Sequence, residues 1–151
     1  MLEVERAGDM KAYEGKEIGV SDWYLVTQDQ IVKFANATGD HQWIHVDVER
    51  AKREMPGGKT IAHGYLTLSL VPRLGATIYR VKQRSRGLNY GSNRVRFTGQ
   101  VPAGSRIRLH QKIKSVDPVD GGVRITSEST VEVEGATRPA LVAEIISMQF
   151  D

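Results

Sequence analysis

The chain has 151 residues, no cysteine, 40% apolar and 26% charged residues, and a formal net charge of +3. That length fits one domain whose apolar side chains can close a core without disulfides, and zero Cys excludes zinc fingers, iron–sulfur clusters and thiol nucleophiles. The mild charge falls short of a nucleic-acid binder's basic excess, and no apolar run of about 18 residues or signal-peptide pattern is present, so a soluble cytoplasmic protein is expected, with no nucleic-acid and no membrane partner.

Residues 1–16 are polar and mixed, and are expected to form a peripheral arm. Trp23–Val26 is aromatic and β-branched and suits a strand. Thr27 and Gln30 have capping-box spacing, Ile31, Phe34, Ala35 and Thr38 follow at helical spacing, and Gly39 stands where a left-handed cap belongs. A helix over 28–38 is predicted. Residues 39–63 read as loop, apart from a short helix from Val48 to Glu54 that Asp47 can cap. Three of the four histidines fall in this window, and functional residues favour loops on a rigid scaffold. Residues 64–79 are the most apolar stretch and predict a buried helix, kinked at Pro72. Lys82–Arg86 is a basic, polar exit.

After residue 87 the hydrophobic period becomes two. Val95 and Phe97, then Ile107, Leu109 and Ile113, then Val123, Ile125, Val131 and Val133 alternate with polar residues, as half-buried strands do. Pro102–Gly104, Asp120–Gly122 and Gly135 punctuate them as turns. Val142–Phe150 is apolar on both faces and reads as a central strand. There is no internal repeat and no linker. The order predicts an α+β fold: an antiparallel sheet of about five strands wrapped around one long central helix. A helix apolar on all sides needs more cover than one such sheet, so a homodimer with sheets joined edge to edge is expected.

Chemistry concentrates at Gly39-Asp40-His41-Gln42-Trp43-Ile44-His45-Val46-Asp47. A carboxylate and an imidazole brought to one point by a loop suit proton transfer to and from water or carbon. The pair has plainer readings: Asp40 as a turn residue after Gly39, and His45 as a satisfied, half-buried histidine. His41 and His45 together with Asp40 or Asp47 have the donor types of a metal site, but the loop context argues against both rings sharing a helix face.

The run GDHQWIHVD, followed by TIAHGYLTLSL, resembles the MaoC-like (R)-specific enoyl-CoA hydratases. In that family a G-D-x-N-P-x-H-x-D motif follows a helix, and an A-H-G tripeptide opens the central helix of a hot-dog fold. The resemblance covers about residues 20–150. Gln42 and Trp43 replace the family's usual Asn and Pro, which leaves the local loop shape open. The resemblance implies that Asp40 and His45 activate a water for addition to C3 of an enoyl thioester, and that the Gly64 N–H holds the thioester oxygen. A helix N-terminus without a side chain in the way is physically suited to an oxyanion. It also implies a small polar residue, here Ser69, near the carboxylate, and Asn89 and Tyr90 along an acyl tunnel. Ser69 otherwise reads as bonded to its own helical turn, and Gly64 as a plain helix start. No metal and no cofactor are implied. The substrate would be an acyl-CoA or acyl-carrier-protein thioester; the basic residues Arg80, Lys82, Arg84 and Arg86 suit its phosphates or simply solvent. His63 is expected to matter less than Gly64. A hot-dog thioesterase and a non-catalytic acyl-CoA-binding module are the rival readings.

Overall fold

A computed structural model describes residues 1–151. Four long strands carry the architecture: β5 (Arg86–Arg96), β6 (Arg106–Val119), β7 (Gly122–Val133) and β8 (Leu141–Phe150), preceded by the short β1 (Leu2–Val4), β2 (Glu17–Val20), β3 (Tyr24–Leu25) and β4 (Tyr79–Val81). The main sheet has six strands in the order β2-β6-β7-β8-β5, with β3 also on β6, and every pairing in it is antiparallel. β8 is internal, as its two-sided apolarity predicts, while β5 pairs β8 alone. This is the expected hot-dog arrangement, with a helix lying along one face of the sheet.

That helix is α4 (Gly64–Gly75). Leu66, Leu70 and Leu74, with Thr67 and Val71 beside them, recur every four residues and form its buried face. They pack on Ile107, Leu109, Val131, Val133, Leu141 and Ala143 of the sheet. The helix is shorter than expected. Thr77 gives both its backbone N–H and its hydroxyl to the Leu74 carbonyl, which turns the chain, and Tyr79 starts β4 instead. Nor is α4 buried all round within one chain, because Tyr65, Ser69, Pro72 and Arg73 are exposed.

The N-terminal segment is not a peripheral arm. β1 pairs in parallel with β4, and a 3-10 turn over Ala7–Tyr13 buries Ala7 and Met10 completely. These residues join Val81, Ile113, Val116, Val123 and Ile125 in a second core cluster. The Ala7 N–H donates to the Asp151 carboxylate at 2.9 Å, which ties the two chain ends together.

Helix α1 (Gln28–Thr38) begins and ends where its caps predict. The Thr27 hydroxyl accepts from the Gln30 N–H at 3.1 Å, and Gly39 closes the helix at φ +82. The Gln30 amide turns to the Tyr24 hydroxyl at 2.8 Å instead of completing the box. The supposed loop after it contains a further helical turn, α2 (Trp43–Val46), before α3 (Val48–Glu54), which Asp47 caps through the Arg50 N–H. No helix is long and apolar enough to cross a membrane.

Candidate active site

His45 sits on α2, almost fully buried. Its Nδ1 donates to the Ile61 carbonyl at 2.7 Å, so its Nε2 carries the lone pair in the neutral ring. The surrounding backbone is pinned as well. Ile61 N–H donates to Ile44 O at 3.0 Å, and the Gln28 amide donates to His45 O at 2.8 Å. Gln28 in turn accepts from the Thr60 hydroxyl. The start of α1, the turn α2 and the segment before α4 are thereby locked together.

Asp40 lies just beyond the left-handed Gly39 and is exposed. Its carboxylate has one long contact, from the Gln42 N–H at 3.4 Å. Ligand-type atoms of Asp40, His45 and His63 all lie within 4.8 Å of one another. The tripeptide histidine, not His41, therefore completes the cluster; His41 instead hydrogen-bonds Asn36 at the surface. The stacked rings of His45 and His63 have centroids 3.7 Å apart and planes at 22°. One nitrogen of each ring is already engaged by a carbonyl, which leaves His45 Nε2 and His63 Nδ1. A carboxylate beside an imidazole with a free nitrogen suits proton transfer.

A cleft of about 490 Å³ opens beside this group. His45, Gly64, Thr67, Phe97 and Arg138 are among its lining residues. The Gly64 N–H has no acceptor within the chain, as expected for the first residue of a helix whose N-cap side chain does not cap it. A Cβ on Gly64 would lie 2.9 Å from the Phe97 ring. His45 and the free Gly64 N–H share the cleft, and the Asp40 carboxylate lies within 4.8 Å of the imidazole, so the group can hold and deprotonate water and bind a developing oxyanion.

The other residues singled out in the sequence lie elsewhere. Ser69 is exposed and its hydroxyl donates to Tyr65 O at 2.7 Å, the plain helical reading. Asn89 and Tyr90 are within β5; Asn89 lines a second cavity of about 480 Å³, and Tyr90 is exposed. In the basic cluster Arg80 and Lys82 pair with Glu3 and Glu5, Arg84 donates to Gln149, and Arg86 stacks over Phe150. Trp43, at the family's proline position, is covered by the Arg50 guanidinium at 4.0 Å and so holds α2 against α3.

The sequence motifs do not single out the cleft residues Thr67, Phe97 and Arg138. Thr67 shares the i,i+3 face with Gly64, a signal present in the spacing. Phe97 and Arg138 reach the cleft because residues 97–101 run beside 138–140, with Thr98 N–H donating to Ala140 O at 3.1 Å. No local period encodes that neighbourhood.

Comparison with known proteins gives a consistent picture. The family model described as "MaoC like domain" matches residues 9–136. The 3-hydroxyacyl-thioester dehydratase Z of Mycobacterium tuberculosis is 49% identical over 147 residues, covering 97% of each chain. Nodulation protein N of Rhizobium leguminosarum bv. viciae is 44% identical over 146 residues, 95% of this chain and 91% of its own. Among solved structures, R-hydratase PhaJ1 from Pseudomonas aeruginosa superposes with a TM-score of 0.71 at 20% identity, over 91% of this chain and 82% of that one, a likeness of fold.

Proposed function

Since the chain belongs to the MaoC-like domain family, we propose that it is a hydro-lyase that adds water across the trans-2 double bond of an enoyl thioester, giving the (R)-3-hydroxyacyl thioester, and catalyses the reverse dehydration. The observation that carries this reading is that His45 lies within 4.8 Å of the Asp40 carboxylate and lines one cleft with Gly64. Asp40 follows α1, His45 sits on α2, and Gly64 opens α4. The relative at 49% identity, named for dehydration of 3-hydroxyacyl thioesters, supports the same chemistry.

In the hydration direction a water is held between the Asp40 carboxylate and His45 Nε2. It gives a proton to this pair as its oxygen bonds to C3. The π electrons move through C2 onto the thioester oxygen, where the Gly64 N–H donates. The pair then returns a proton to C2. The thioester bond is never broken, and neither cofactor nor metal takes part. The exposed carboxylate beside a buried imidazole gives the water one partner reached from solvent and one held rigid.

We also infer a homodimer. β5 presents eleven residues with one free edge, and Leu88, Tyr90 and Phe97 stand exposed on it or just after it. Tyr65 is exposed on α4 and meets Phe97 edge-on at 5.7 Å. A long free edge bordered by exposed apolar groups is a surface that a second copy can cover.

Incubation with crotonyl-CoA tests the activity. Loss of the enoyl absorbance without free thiol, and a product of R configuration at C3, is expected. Thiol release with the double bond intact would identify a thioesterase, and no turnover would favour a binding module.

A further inference from the structure

The histidine of the Ala62-His63-Gly64 tripeptide occupies an unusual position. It is the N-cap of α4, where Ser, Thr, Asp or Asn would hydrogen-bond a free helix N–H, yet its side chain makes no cap bond. It is 3% exposed, and its Nδ1 is buried with no partner. An uncapped helix end and an unpaired buried nitrogen are two concessions in stability at one residue. Natural folds accept such conflicts mainly at functional sites.

The ring is turned toward the site. Nε2 donates to the Asp40 carbonyl at 2.9 Å. Asp40 is otherwise held only by 3.4 Å contacts, its own N–H to the Thr38 hydroxyl and its carboxylate to the Gln42 N–H. One face of the His63 ring stacks on His45 at 3.7 Å, and Phe34 of α1 packs against the ring at 4.8 Å and 55°. One buried side chain therefore touches the backbone of Asp40 and the ring of His45, and is bonded in sequence to Gly64. It does not line the cleft.

We infer that His63 is a positioning residue that sets the Asp40 carboxylate and the His45 ring in register with the N-terminus of α4. This rests on the hydro-lyase reading above, but extends it to a residue that does not meet the substrate. A misplacement of about 1 Å in such a site can cost about 100-fold in rate, so loss of the Asp40 anchor acts on turnover more than on binding.

The test uses the full chain and crotonyl-CoA. His63→Phe keeps a stacking ring and loses the N–H donor; His63→Gln keeps a donor and loses the ring. The expected result for His63→Phe is a kcat lower by about 10- to 100-fold with KM within about threefold of wild type. His63→Gln should recover part of that loss. Adding Asp40→Asn to His63→Phe should cost less than the two losses multiplied, because the anchor acts through Asp40. A folded His63→Phe with kcat within threefold of wild type, a loss carried by KM alone, or full additivity with Asp40→Asn would overturn the inference. Should His63→Phe fail to fold, His63→Gln and His63→Ala decide: a higher kcat with the donor kept in His63→Gln than in His63→Ala supports the anchor, and equal kcat in the two refutes it. Imidazole ¹⁵N NMR of the substrate-free protein is independent of turnover. A His63 ring protonated at Nε2 is expected, and an Nδ1–H tautomer would break the bond to Asp40 and overturn the inference whatever reaction is catalysed. Wild-type inactivity toward the enoyl thioester would instead count against the hydro-lyase reading, with the NMR result still standing for or against the anchor.

Discussion

Asp40 and His45 differ in surroundings, and the difference sets what each can do. The buried ring is pinned through Nδ1, so only Nε2 is free to take a proton. The carboxylate is open to solvent and loosely held. Positioned acid–base groups contribute about 10²- to 10⁴-fold each. Asp40→Asn and His45→Gln should therefore each lower kcat by that order with little change in melting temperature, and the double variant should be less than additive because both act on one water. Steady-state kinetics on the three variants checks this; near wild-type turnover in either single variant removes that residue from the mechanism. Gly64→Ala adds a methyl 2.9 Å from the Phe97 ring, which lines the same cleft and must shift. Ala favours a helix by about 1 kcal/mol over Gly, so stability should hold while kcat/KM falls at least about tenfold. A fully active Gly64→Ala places the thioester oxygen elsewhere. Asp40, His45 and Gly64 were legible because local motifs mark them. His63 lies in the same tripeptide, yet its orientation depends on the refusal of an N-cap to cap, which spacing does not reveal.

At the scale of elements, α1, α3 and the long strands follow from caps and periodicity. What escaped was short or paired at long range. β1 and β4 have three residues each and are too brief to show a period, and their parallel pairing joins residues 77 positions apart. Strand β5 starts at Arg86, well before Val95, and nearly all of it is exposed, so no inside–outside alternation marks its first half. The N-terminal segment reads as polar because just two of its residues, Ala7 and Met10, carry the 3-10 turn's packing. Its contribution is substantial all the same. Met10 is fully buried against the second cluster, so Met10→Ala should cost about 2–5 kcal/mol. Urea unfolding of the two proteins measures it. A cost below about 0.5 kcal/mol, the range of ordinary surface changes, would show that the segment is dispensable packing.

For the whole molecule, one side of the sheet ends in β5 and its unpaired edge. The opposite side is covered by β2 and β3, two short strands that leave little template for pairing. Analytical ultracentrifugation at micromolar concentration should give twice the mass of the 16.8 kDa chain. Replacing exposed Leu88 and Tyr90 together by Arg should shift the equilibrium toward monomer. A compact, active wild-type monomer would contradict the assembly, and the exposed edge would then need another cover. The sequence led to this expectation through an all-round apolar helix. The structure supports it on different ground, since α4 has an exposed face and β5 a free edge.

The central claim is that water adds at C3 while the thioester survives, and isotope placement tests it most directly. Turnover of crotonyl-CoA in ¹⁸O-enriched water, followed by mass spectrometry, should give one ¹⁸O in the C3 hydroxyl of an intact CoA thioester, with incorporation greatly slowed in Asp40→Asn. Label appearing in a free carboxylate beside released CoA, with the double bond retained, would contradict the account.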